Sequence, residues 1–157
     1  MNFRFSSALL AFALLATSVA FTACDDDDDE ATTITIDSSQ PQGDFTASRS
    51  GDFVAENGTP TMGTASLGTD SDGTNFLQFS DDFTTQLATG TVTVYLSTSE
   101  TFTPDPMNGN PDLELVGSIR DNGEQNFRLE SAPASTFTHV ILWCASANIP
   151  FGNAELN

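Results

Sequence analysis

Few side chains in this sequence are equipped for chemistry, and the most prominent is Cys144. It lies in His139-Val140-Ile141-Leu142-Trp143-Cys144-Ala145, the most apolar stretch outside the N-terminus, which also holds the only His and the only Trp of the chain. A cysteine reacts as its thiolate, and a thiolate needs a nearby cation or a helix N-terminus to lower its pKa. The folded part offers only Arg49, Arg120, Arg128 and His139 for that purpose, and the chain has no Lys. An acidic surrounding and a covered strand both favour the neutral thiol. The residues by themselves therefore predict an inert, buried Cys144, unless Arg120 or Arg128 packs beside it. A ligand role is constrained by spacing. His139 and Cys144 stand five apart on one strand, hence on opposite faces and about 16 Å apart, too far to share a metal ion. Met62 or Met107 would complete a Cys–Met pair, although Met in a β-protein is more often packing. Covalent haem attachment needs a Cys-x-x-Cys-His segment, which is missing. Asp70, Asp72 and Gly73 echo the start of a calcium loop without its closing Glu, and Asp105, Asn108, Asn110 and Asp112 put further oxygens in one loop. Turn formation is the commoner use of such Asp and Asn residues. One His and no nucleophile motif leave hydrolysis without support.

The only other cysteine, Cys24, belongs to a different part of the chain. Arg4, an apolar run from Ala8 to Phe21, and the closing Phe21-Thr22-Ala23-Cys24 form a secretory signal whose end resembles a bacterial lipobox. Residues 1–23 are then a signal peptide, and Cys24 is lipidated and tethers the protein to a membrane of the bacterial envelope. This leaves no partner for an internal disulfide. Six consecutive acids, Asp25 to Glu30, follow as a self-repelling tether. Residues 24–42 are expected to be tether and linker, with Ala31 to Gln42 alternatively a first edge strand. Acids directly after such a Cys are a surface-export signal in some bacteria and an inner-membrane retention signal in others. The expected address is the periplasmic or cell-surface face.

The whole chain carries 22 acids against four basic residues, a formal charge of −18. Residues 31–157 keep 16 of those acids and three arginines, or −13. Such a surface repels nucleic acid, so no nucleic-acid partner is expected. Acid excess without Lys also resembles the proteins of salt-loving organisms, in which salt screens the self-repulsion.

From Gly43 onward the pattern is β. Gly63 to Gly68 and Phe76 to Ser80 read as a hairpin turned at Asp70-Ser71-Asp72-Gly73, and Asn57-Gly58 reads as another turn. Thr91 to Ser97 is the clearest strand, with Val92, Val94 and Leu96 on one face. Leu113 to Ile119, Gln125 to Leu129 and His139 to Ala145 follow, and a Pro-, Asn- and Gly-rich loop occupies 98–111. In the last strand Val140, Leu142 and Cys144 share one face, and His139, Ile141, Trp143 and Ala145 the other. No window beyond one turn has the helical period. The expected fold is all-β, an antiparallel β-sandwich of seven or eight strands over residues 43–157.

In this order the residues resemble the DM-thirteen domain: Met62-Gly63-Thr64-Ala65, Phe76-Leu77-Gln78-Phe79 with Phe83, and Val94-Tyr95-Leu96-Ser97. Gly117-Ser118-Ile119, Asn122 to Phe127, Val140 to Cys144 and Phe151-Gly152-Asn153-Ala154 complete the series. The resemblance covers about residues 43–156. It implies a β-rich extracellular or periplasmic domain active in electron transfer through a single Cys, as a bare thiol or as a ligand to a prosthetic group. The matching position is Cys144, with Trp143, Arg128 and Met62 as supporting candidates, a haem or no cofactor, and a redox partner protein. The chain departs from the pattern twice. Gly90-Thr91 stands where Pro-Asp often precedes the Val-Tyr-Leu-Ser strand, and Thr59-Pro60-Thr61 replaces a common His. Two functions are thus expected in competition: a membrane-tethered redox module centred on Cys144, or a non-catalytic envelope module that binds through loop 98–112.

Overall fold

The computed structural model describes residues 37–103 and 109–157. Cys24, Asp105 and Met107, with the signal segment and the acidic tether, lie outside the described residues. The eight strands are β1 Thr46–Ala55, β2 Thr64–Thr69, β3 Asn75–Phe79, β4 Val92–Ser97, β5 Leu113–Ile119, β6 Gln125–Arg128, β7 His139–Cys144 and β8 Ile149–Glu155. Every pairing is antiparallel, in the continuous order β5-β4-β7-β8-β1-β2-β3-β6. The expected all-β fold of seven or eight antiparallel strands is thus observed, in a form close to a closed barrel. The two edge strands meet without pairing where Phe127 lies against Gly117; a Cβ at Gly117 would stand 3.0 Å from the ring.

The connection between the two halves of the sheet runs through β1. Its first part, Thr46 to Asp52, pairs with β2, and its last three residues, Phe53 to Ala55, pair with β8. Sequence patterning did not delimit this strand, because only Phe53 of its ten residues is buried. β8 was equally hidden by Pro150 and Gly152, which weaken a strand reading. Pro150 is accommodated at a bulge: Leu142 pairs with Gly152 and Trp143 with Pro150, leaving Phe151 as the extra residue.

Inside, the alternating apolar residues of the expected strands converge. Val92, Val94 and Leu96 of β4 and Val140, Leu142 and Cys144 of β7 have no exposed surface. They join a phenylalanine cluster at the other side of the core, where Phe79 lies 4.9 Å from Phe53, 4.8 Å from Phe83 and 5.3 Å from Phe127 between ring centroids. Each such ring contributes about 1.5–3 kcal/mol by burial, and edge-on pairs add about 0.5–1.5 kcal/mol. No buried side-chain polar atom among the described residues lacks a hydrogen-bond partner. The outer face of β7 is also covered. Ile141 is fully buried there, between Tyr95 and Asn153 of the neighbouring strands. Phe102, from the loop after β4, lies back over this face against Tyr95 and Trp143, at 5.0 and 4.0 Å.

Candidate functional site

β7 ends at Cys144, and the chain reverses into β8 through a single turn, residues 145–148. The turn is closed by the Asn148 N–H, which donates to the Cys144 carbonyl at 2.8 Å. Asn148 holds φ at 55°, a left-handed conformation that Asn tolerates. This geometry puts Cys144 where a capping residue sits before the first turn of a helix, with its side chain facing the N–H groups two and three residues on. The N–H groups of Ser146 and Ala147 accordingly favour the charged form of the sulfur. Two hydroxyls complete the surroundings: Ser146 Oγ at 3.3 Å and Thr89 Oγ1 at 3.8 Å from Sγ.

The Ser146 hydroxyl has a second claim on its hydrogen, since it donates to the Thr89 carbonyl at 2.8 Å. In the thiol state the chain of donors therefore runs from S–H to Ser146 Oγ and from Ser146 O–H to Thr89 O. In the thiolate state the hydroxyl turns to the sulfur. Gly90 makes this approach possible. A Cβ there would lie 2.2 Å from Ser146 Oγ, and its φ of +132° suits glycine alone. The departure from the family pattern at Gly90 thus lies against the sulfur's own hydrogen-bond partner.

Burial of Cys144 pushes its thiol up, but the donors from Ser146, Ala147 and Thr89 outweigh it and hold the pKa below the ordinary value. The thiol is buried, as the sequence predicts, while its immediate hydrogen-bond partners favour the thiolate more than the net charge suggests. The expectation of a neutral thiol rested on net charge and on burial; acids spread over the surface are screened by salt beyond about 10 Å, whereas hydrogen-bond donors at contact are not. Neither arginine contributes to the shift. Arg128 of β6 pairs across to Phe76 of β3 and its charge favours the Asp70 carboxylate, and Arg120 follows β5 as an exposed residue. The cation that the sequence left open is replaced by the turn Cys-Ala-Ser-Ala-Asn directly after an apolar strand.

The cover over the sulfur is thin. Cys144 has no exposed surface, yet Thr89, Ser146 and Ala147 above it are all exposed. Thr89 and Ala147 also border a cleft of about 280 Å³ with Gln86, Ile149 and Phe151. A small reagent held there is one side chain from the sulfur.

The other candidates are dispersed. His139 is at the opposite end of β7, paired with Ser97 and Glu155, with its Nδ1 2.9 Å from Thr138 Oγ1. Met62 is 52 % exposed in an isolated bridge to Thr84, outside the core that holds Cys144. Trp143 faces away from Cys144 and stacks on Phe102. Asp70 spends its carboxylate on the N–H groups of Gln42, Asp72 and Thr74, at 3.0, 3.0 and 2.8 Å. These bonds, that from Gln42 first, hold its pKa below the usual value. Asp70 is therefore a loop cap, with Asp72 in the turn it caps. Asp112 lies in an exposed Asn110-capped turn. No cluster of three His, Cys, Asp or Glu side chains spaced for a metal occurs among the described residues.

The surroundings of Cys144 do not fit a haem. The groups at Sγ are hydrogen-bond donors, which satisfy a thiolate's lone pairs and compete with a metal for them. The adjoining cleft, about 280 Å³, is below the ~300–1,000 Å³ of sites that enclose a drug-sized ligand. The same surroundings suit a bare thiolate.

A family model described as "Electron transfer DM13", the DM-thirteen family of the resemblance above, matches residues 52–156, from the middle of β1 to the residue after β8. No curated protein and no solved structure matches the chain.

Proposed function

This chain belongs to the DM13 electron-transfer family, and we propose that it is an envelope lipoprotein whose redox role is carried by Cys144 as a hydrogen-bonded thiolate. One observation carries this reading: the buried Sγ of Cys144 lies under the 145–148 turn with the hydroxyls of Ser146 and Thr89 at 3.3 and 3.8 Å, partners that favour the thiolate. A lowered pKa raises the thiolate fraction at neutral pH, and the thiolate is the form that enters exchange and oxidation. The Cys24 anchor and the acidic tether Asp25 to Glu30 would hold the domain at the membrane face, within reach of a redox partner protein.

The step that this geometry supports is thiol–disulfide exchange. Cys144 Sγ attacks one sulfur of a partner's disulfide, the S–S bond breaks, and the other partner sulfur leaves as a thiolate. The new mixed disulfide joins Cys144 to the partner, and a second partner thiol reverses it, carrying the electron pair onward. Ser146 and Thr89 must swing aside for this attack, and both are surface residues. Glutathione disulfide tests the step. Native protein should gain one glutathione by intact mass, Cys144→Ser none, and a reductant should remove it. Native protein that takes up no glutathione until denaturant is added overturns the reading and leaves a binding module.

A further inference from the structure

The face of β7 opposite Cys144 carries a second site, independent of the sulfur. Phe102 and Trp143 stack at 4.0 Å with 22° between their planes, and Tyr95 packs against Phe102. Beside this stack opens a cleft of about 480 Å³ lined by Glu56, Glu100, Thr101, Phe102, Trp143, Pro150 and Asn153. Its chemistry is one-sided. Glu56, Glu100, Phe102 and Trp143 line it, and no Arg does among the described residues. Glu56 is half-buried and fixed in place by Asn153, whose Nδ2 donates to Oε1 at 2.8 Å. Among the described residues no other side chain hydrogen-bonds to that carboxylate. The aromatic pair is built from two distant segments: Phe102 comes from the loop after β4 and Trp143 from the end of strand β7.

We propose that this cleft binds a small quaternary ammonium ion. The ring faces turned away from the Phe102–Trp143 stack attract cations, and methylated ammonium groups are the ligands that aromatic walls receive best, since little hydration must be stripped from them. Carboxylates at the rim neutralise the charge, and a volume of about 480 Å³ lies within the range of small-molecule sites. The acidic surface of the whole domain, 16 acids against three arginines over residues 31–157, draws cations toward the cleft and repels anions. An anionic ligand is repelled by Glu56 and Glu100 and meets no cationic side chain among the described lining residues.

Trp143 is the only Trp of the chain, so its fluorescence reports the cleft directly. Choline is the probe, its uncharged carbon isostere dimethylbutanol the control for shape, and sodium chloride the control for ionic strength. Choline should change the emission saturably, the isostere should need roughly tenfold more or fail to saturate, and salt alone should give no saturable change. The Glu56→Gln and Glu100→Gln pair should raise the choline half-saturation by about tenfold, since each carboxylate acts at a few ångströms in water. Circular dichroism checks that the double variant folds. Equal binding of choline and its isostere, an unchanged half-saturation in a folded double variant, or no saturation at all would overturn the proposal. The comparison of the two probes needs only the native protein, so a variant that fails to fold does not rescue it.

Discussion

Replacing Ser146 with Ala removes the hydroxyl 3.3 Å from Cys144 Sγ while leaving the backbone donors of the turn in place. The magnitude follows from the two claims on that hydroxyl. Turned to a thiolate, it makes a hydrogen bond to a charged group, worth about 1.5–3 kcal/mol; to do so it surrenders the 2.8 Å bond to the Thr89 carbonyl, worth about 0.5–1.5 kcal/mol. The S–H group is a weak donor, so losing its bond to Oγ in the thiol state offsets little. The net stabilisation of the charged form is about 1 kcal/mol, or about 0.7 of a pKa unit. The assay is the rate of alkylation of Cys144 by iodoacetamide across a pH series. In Ser146→Ala the midpoint should move up by about 0.7 unit, and the reaction at neutral pH should slow by about fivefold from loss of thiolate. Removing a covering atom also opens access, which raises the high-pH plateau, so the midpoint and not the rate at one pH is decisive. A midpoint that stays put or falls refutes the reasoning.

Gly90→Ala should act on the same atom from the other side. A methyl group 2.2 Å from Ser146 Oγ, on a backbone at φ +132°, costs about 1–3 kcal/mol and displaces the hydroxyl. Tm should fall by roughly 4–8 °C per kcal/mol, and the Cys144 midpoint should rise; an unchanged midpoint in a destabilised protein would separate Gly90 from the thiol. Asp70→Asn tests the loop cap and its pH dependence. The Asp70 pKa is lowered in the folded state, so its contribution to stability is fully present above the unfolded value of about 3.9 and is lost as pH falls through the lowered value. The wild type should therefore exceed Asp70→Asn in Tm at neutral pH, with the gap closing in acid. A gap that is the same at both pH values would show that the carboxylate charge contributes nothing.

The fold was legible wherever burial imposes a period of two. Val92, Val94 and Leu96, or Leu77 and Phe79, alternate in sequence because one side of each strand meets the core. β1 and β8 were not legible for opposite reasons. β1 shows its apolar residue only at Phe53, the point where it changes partner, and β8 interrupts its pattern with the bulge at Pro150. At the site, Cys144 stood out by its surroundings in the sequence, but its chemistry did not. The sign of the pKa shift depends on Ser146 and Ala147 folding back onto the sulfur and on Thr89, 55 positions earlier, arriving above it. Composition reports only the total charge, not the hydrogen-bond donors that the fold brings to the sulfur. The same limit hid the cleft on the outer face, since nothing in the loop after β4 marks Phe102 as the partner of Trp143.

The most direct test of the account is the pH midpoint of Cys144 alkylation in the native protein, measured beside the same protein in denaturant. The native midpoint should lie below the unfolded value, which is about 8.5 for a free cysteine, and one thiol should react without unfolding. A native midpoint at or above the unfolded one, or a thiol that reacts only after denaturation, contradicts the claim that the turn after β7 prepares this sulfur for redox chemistry.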